Sequence, residues 1–385
     1  MREILDKKFN LKQNYLYLIV FFVFIIIALY HIRSGYHMTS DSYRLSRWAD
    51  KLIELNFNFF DFYSIEKSGH RPHLFFFTIP VLSIALCKYF FVNEWQSVFF
   101  IINLSLLLIF LIIFVNSLLL VRVKPILIFL SFPLIIVSAD VLTWPRYILS
   151  DMIYAFLVML SVYFIAKSVV KNKICFPELL LIIFLLLASR PSSIPVVFAI
   201  IFFVLISNFQ IFLKSKNILF FLSILFFFTP FIFAFLNSVI NTYFSEIPNL
   251  KYLIKMVKIG MIIHDRPDTW INIQNNFFDI VYLYFLRSIN FFNPYALTFS
   301  KFHLVVNFFQ FFMILFSIFI WLFSISYTKI QIKITLFILI LSLFVAEFHS
   351  FTLIDYDWRF RFPVILPLLM LFPLSLSMFL YKDKS

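Results

Sequence analysis

The residues of this chain that can do chemistry are bunched. Between Ser40 and Asp50 the sequence reads SDSYRLSRWAD, two aspartates, two arginines, a tyrosine and a tryptophan in eleven residues of a chain that is 63% hydrophobic. Polar or charged residues also gather in HRPHLFFFTIP (70–80), PRYILSDMIYAF (145–156), LASRPSSIP (187–195), HDRPD (264–268) and DYDWRFRFPVILP (355–367). An aspartate can accept a proton or cap a helix, and an arginine grips phosphate oxygens in bidentate fashion and keeps its charge beside lipid. Asp41 and Asp151 are among the carboxylates of these stretches, and Arg146, Arg190, Arg359 and Arg361 among their arginines. Arg359 and Arg361 flank Phe360 and cannot both face one way on a regular helix, so they belong to the turn before Pro363.

These clusters must be positioned by an apolar frame. With 385 residues, 13% of them charged, and apolar runs of 18 or more, the composition excludes a water-soluble globule. The expected fold is an all-α polytopic membrane protein, a single domain over 1–385, with room for roughly ten crossings of about 20 residues each. The spans read from hydropathy are 15–32, 97–121, 125–145, 150–170, 178–190, 195–213, 217–240, 303–327, 334–353 and 362–380. Tyr15 to Ile32 lacks a small-residue cleavage site and reads as a retained helix. The 59 phenylalanines show no spacing of a cage or stacking ladder and serve to face lipid.

With the N-terminus cytoplasmic, the cytoplasmic side collects 15 basic residues, Lys171 and Lys173 among them, against four acidic ones. Short loops rich in Lys and Arg stay inside, which assigns the net charge of +13 to orientation and anionic lipid and leaves no need for nucleic acid. Leu74 to Val92 would invert every later loop if it crossed. It follows Pro72, contains Pro80 and Lys88, and is expected to lie along or dip into the outer face. Residues 277–292, interrupted by Arg287 and Asn290, are expected to behave similarly. The span 178–190 runs into SRPSSIP, so it and the next helix form a bent pair.

The outside then holds two long loops, 33–96 and 241–302, with short connections near 146–150 and 354–361, which carry 12 of the 19 acidic residues and four of the seven histidines; Asp140, Asp151, Glu347, His31, His303 and His349 fall within the expected spans. Within the first loop, Tyr43, Leu45, Trp48, Ala49, Leu52 and Ile53 recur at three- and four-residue spacing, which predicts an amphipathic helix capped by Ser40 or Asp41. Cys87 and Cys175 fall on opposite sides, so no internal disulfide is expected. HRPH places His70 and His73 in a turn and no HExxH spacing occurs; a divalent metal is a secondary possibility and no cofactor is required.

Taken in order, these stretches resemble the GT-C superfamily of polyprenyl-phosphate-dependent glycosyltransferases, especially its aminoarabinose transferase and protein O-mannosyltransferase branch. In that family an acidic residue opens a helix in the first extracytoplasmic loop, matched here by Asp41 with Tyr43 and Ala49. A Pro-rich entry to a juxtamembrane helix follows, matched by His70 to Pro80 with His73 where a second proline is common. Then come a basic and an acidic residue at a helix start (Arg146, Asp151), a helix ending in a basic residue plus proline (Arg190, Pro191), and an aromatic–arginine cluster before proline (358–363). The likeness covers about 15–215 and 345–375 and leaves 241–302 unmatched.

The resemblance implies an integral protein of the cell (inner) membrane that transfers a sugar from a polyprenyl-phosphate donor to a hydroxyl on a glycan, lipid or protein acceptor, at the extracytoplasmic face, with inversion. It implies Asp41 as base, Asp151 as an orienting group, metal ligand or partner to Arg146, and Arg359, Arg361, Arg190 and Arg146 on the donor phosphate. Tyr43, His264, Asp265 and Arg266 are the acceptor-side candidates. Two other readings stay open: an O-antigen polymerase or ligase, which would concentrate Arg and His in the late loop, and a lipid-linked glycan flippase or transporter, which would carry intramembrane charges facing a cavity.

Overall fold

The structure, a computed structural model, describes residues 13–64, 74–207, 215–263, 267–295, 300–324, 328–352 and 358–380. The described elements are helical, and the β contact among them is an isolated parallel bridge between His37 and Tyr147. In chain order they are α1 (Gln13–Ser34), α2 (Ser40–Glu54), α3 (Phe59–Ser64), α4 (Thr78–Phe90), α5 (Trp95–Leu120), α6 (Pro125–Phe129), α7 (Phe132–Ile136), α8 (Asp151–Lys171) and α9 (Phe176–Leu187). There follow α10 (Ile194–Ser207), α11 (Ser215–Tyr243), α12 (Pro248–Lys258), α13 (Phe277–Phe291), α14 (Lys301–Phe323), α15 (Lys329–Thr352), α16 (Phe362–Leu369) and α17 (Leu371–Leu380).

Among the described residues seven segments are long and apolar enough to cross a membrane: α1, α5, α8, Leu222–Tyr243 of α11, α14, α15 and the run Phe362–Leu380 that joins α16 and α17. The chain is thus an all-α polytopic membrane protein. The other expected spans differ because hydropathy does not register proline, which lacks an N–H and clashes with the carbonyl four residues back. In 125–145, Pro133 ends α6 at Phe129, and Pro145 lies in a 3-10 turn, Trp144–Arg146. The bent pair expected over 178–213 is present: it turns at Arg190, which takes an extended backbone (φ −170°, ψ 145°) before Pro191. Its halves, of 12 and 14 residues, are each shorter than the roughly 20 residues that a crossing needs. Pro373 ends α16 at Leu369 by the same clash.

The expected amphipathic helix is α2, with two corrections. Its cap is Thr39, whose Oγ1 accepts from the Ser42 amide while Ser42 Oγ accepts from the Thr39 amide. Tyr43 is on the open face, 60% exposed, and the buried stripe is Leu45, Ala49 and Leu52. That stripe packs on α4, where Lys88 pairs with Asp50 at 2.6 Å. α4 is only 13 residues long. Arg287 and Asn290 interrupt the apolar run of α13 but not the helix, because arginine is a good helix former and its side chain finds carbonyl partners; at 15 residues α13 is shorter than a crossing needs.

At the centre stands α8, packed against α5, α9, α15 and α16 and buried around most of its circumference. α1, α11 and α14 are peripheral and show large exposed apolar side chains. Contacts at the two ends show the segments alternating in direction. At one end the Gln331 amide donates to the Val121 carbonyl and the Ser377 hydroxyl. At the other, His31 Nε2 meets the Val141 carbonyl, Asn103 donates to the Pro145 and Tyr147 carbonyls, and Arg190 meets Asp151.

Candidate functional site

The second end holds the charged cluster. Asp151 opens α8 with its carboxylate buried, and Arg190 donates to it across the bend between α9 and α10. Of the roles expected for Asp151, as an orienting group, metal ligand or partner to Arg146, the last is not what the structure shows. Instead Arg146 is half-buried, its guanidinium 5.4 Å from the Tyr147 ring and its carbonyl accepting from the His37 amide. Arg190 also lies over the Phe360 ring at 4.8 Å, and His349 stacks on that ring at 4.3 Å.

Phe360 belongs to the 3-10 turn Trp358–Arg361, the turn expected before Pro363. Its neighbour Arg361 is 2% exposed. Its Nε lies 3.8 Å from Asp140 Oδ2, its NH1 donates to the Asn293 carbonyl at 3.0 Å, and its guanidinium sits 5.0 Å from the Phe311 ring. Asp140 is steadied by the Trp144 indole, which donates to Oδ1 at 3.2 Å. Arg190 and Arg361 therefore meet through one aromatic turn, each with a buried carboxylate. The Arg359 side chain, and His70, His73, His264, Asp265, Arg266, Asp355 and Asp357, lie outside the described residues.

Asp41 stands on the first turn of α2, a quarter exposed, paired with Arg44 at 3.1 Å; Arg44 in turn covers Trp48 and Phe77. The link from α2 to the arginine cluster runs through the backbone. The His37 amide donates to the Arg146 carbonyl and its carbonyl accepts from Ile148, so Asp41 begins four residues from the segment that carries Asp140.

Sequence reasoning missed a second polar group. Arg287 is fully buried, its Nε donating to the Met261 carbonyl at 2.8 Å with Tyr284 beneath it. Burial lowers its pKa to about 10, so it stays charged at neutral pH. Next to it Ser288 donates to Glu347, which α15 buries. The available signal was an ionisable residue inside an apolar run, which by itself marks a functional position in a membrane protein. Asp140, Glu347 and Arg287 all carry it.

Beside Arg361 lies an apolar groove of about 630 Å³ between α11, α14, α15 and the end of α13. Phe311, the ring under Arg361, is part of its wall, as are Phe292 and Pro294 on either side of the Asn293 carbonyl. Phe227, Phe308, Phe312 and Leu315 line it and are each more than half exposed, so it opens on the side where lipid would stand. The volume is in the range of about 300 to 1,000 Å³ usual for ligand sites. Among the described residues no group of three or more His, Cys, Asp or Glu gathers to hold a metal ion. Comparison with protein-family models, curated proteins and solved structures finds no match to this chain.

Proposed function

We propose that this chain is a membrane glycosyltransferase of the GT-C kind, moving a sugar from a polyprenyl-phosphate donor to a hydroxyl acceptor at the extracytoplasmic face of the cell membrane. The observation that carries the reading is the shared wall of groove and guanidinium: the lipid-side apolar groove ends at Phe311, and Arg361 lies on that same ring. An apolar channel ending at a buried bidentate cation suits a molecule that is a hydrocarbon chain at one end and a phosphate at the other. The Lys-rich ends of α8 and α15, read as cytoplasmic by the positive-inside rule, support an outer position for this cluster at the opposite ends of the segments.

In the reaction the acceptor hydroxyl passes its proton to a carboxylate as its oxygen bonds to C1 of the sugar. The C1–O bond to phosphate breaks, its electron pair leaves on the phosphate, and the configuration at C1 inverts. Arg361 and Arg190 stabilise the leaving phosphate. Asp41 is the proposed base, since it is partly open to the outside while Asp151 is sealed against Arg190. Asp151 is a positioning residue that holds Arg190 over Phe360.

Native mass spectrometry with added polyprenyl phosphate tests the site. Arg361→Ala should weaken binding by about tenfold or more, the worth of one charge-assisted pair of hydrogen bonds. Equal affinity in wild type and variant would remove Arg361 from the site. The buried Arg287–Ser288–Glu347 group favours a second reading, a transporter of the same lipid. A transporter would return the glycosylated lipid intact, whereas a transferase leaves bare polyprenyl phosphate.

A further inference from the structure

On α14, Asn307 and Gln310 are both fully buried, and all four of their side-chain nitrogen and oxygen atoms lack a hydrogen-bond partner among the described residues. Leaving a buried amide unsatisfied costs about 1–3 kcal/mol per group, more than an apolar residue at the same place would. Helical membrane segments carry such a burden where a ligand relieves it.

Their place on the helix is specific. Phe311, Ile314 and Ile318 line the groove, and Asn307 shares their stripe at spacings of i+4, i+7 and i+11. Asn307 and Gln310 do not themselves line the groove; they are buried behind its wall, Asn307 one turn N-terminal to Phe311 and Gln310 directly before it. Phe311 is the ring beneath Arg361, so both amides lie within one helical turn of the residue that carries the cation. A primary amide both donates and accepts, which is what neighbouring hydroxyls of a sugar require. A bare phosphate offers no O–H donors at neutral pH beyond its own, and a hydrocarbon chain offers none.

We infer that Asn307 and Gln310 are the residues that read the sugar of the donor, distinguishing a glycosylated polyprenyl phosphate from the bare carrier lipid. The inference rests on the lipid-phosphate reading of the groove and Arg361. It assigns sugar discrimination to α14, a helix that none of the sequence motifs includes.

The test is lipid capture by the purified full chain from a total lipid extract of its host, with bare polyprenyl phosphate added as competitor and bound lipids identified by mass spectrometry. Wild type should enrich one sugar-bearing polyprenyl phosphate over the bare lipid by about tenfold or more. The Asn307→Leu/Gln310→Leu double variant should bind both within about twofold and melt no lower than wild type, because it removes unsatisfied groups without changing volume much. Wild-type enrichment in the double variant overturns the inference. If the double variant does not fold, Gln310→Met keeps side-chain length and flexibility and carries the comparison, with undiminished enrichment again overturning it. A wild type that binds the bare lipid but shows no preference for any sugar-bearing form refutes the inference and leaves the lipid-phosphate site standing. A wild type that binds neither refutes both.

Discussion

Arg190 and Arg361 are both buried guanidiniums held by carboxylates, and their energetics differ from those of the charges on α2. Removing one partner of a buried pair strands the other in a medium of low polarity. Arg190→Met should therefore destabilise the protein by about 3–5 kcal/mol in a detergent unfolding assay, and Arg190→Met/Asp151→Leu should recover most of that loss. No recovery in the double variant would mean that Arg190 is held by something other than Asp151. By contrast the Asp41–Arg44 pair is partly solvated and worth under about 1 kcal/mol, so Asp41 can be varied with the fold intact. Sequence reasoning named Asp151, Arg190 and Arg361 because each opens or ends an apolar run. It could not pair them, since Asp151 and Arg190 are separated by a helix hairpin and Asp140 was counted inside a span. A hydropathy window absorbs a single charge without trace.

Proline placement governs the elements around the site. The break at Arg190–Pro191 is what lets the arginine turn inward between α9 and α10, and the break at Pro373 divides the buried run of α16 and α17. Uninterrupted apolar runs such as α5 were legible to within a residue or two, and so was α2, whose apolar stripe and small polar start are local signals. The bend at Arg190–Pro191 was legible in the SRPSSIP that 178–190 runs into, but the breaks in 125–145 were not, because those residues are as apolar as a straight span. The groove is a property of four elements together and leaves no mark on any one of them. Leu343→Trp, which fills its wall on α15, should weaken binding of a long polyprenyl phosphate by about tenfold and leave a short-chain analogue nearly unaffected. Equal loss for both chain lengths would place the hydrocarbon elsewhere.

Across the whole molecule, charge is sorted by end: lysines at the loops joining α8 to α9 and leading into α15, arginine–carboxylate pairs at the other end. This predicts sidedness. Cys87 and Cys175 are buried, so a membrane-impermeant maleimide should ignore them. Added to intact cells it should label Phe60→Cys, where Phe60 is 91% exposed, and spare Lys173→Cys. The reverse pattern would put the arginine cluster in the cytoplasm, where nucleotide sugars compete as donors. The central claim is sugar transfer from a polyprenyl phosphate, and the most direct measurement is mass spectrometry of envelope glycoconjugates and the prenyl-phosphate pool in wild type, a deletion strain and a well-expressed Asp41→Asn variant. The account predicts that both mutants lack the same single sugar on one glycoconjugate and accumulate its prenyl-linked donor, with residual transfer in Asp41→Asn slowed by about 10² to 10⁴, the contribution of a general base. Full modification in Asp41→Asn, or a deletion strain whose glycoconjugates and prenyl-phosphate sugars are unchanged, would contradict it.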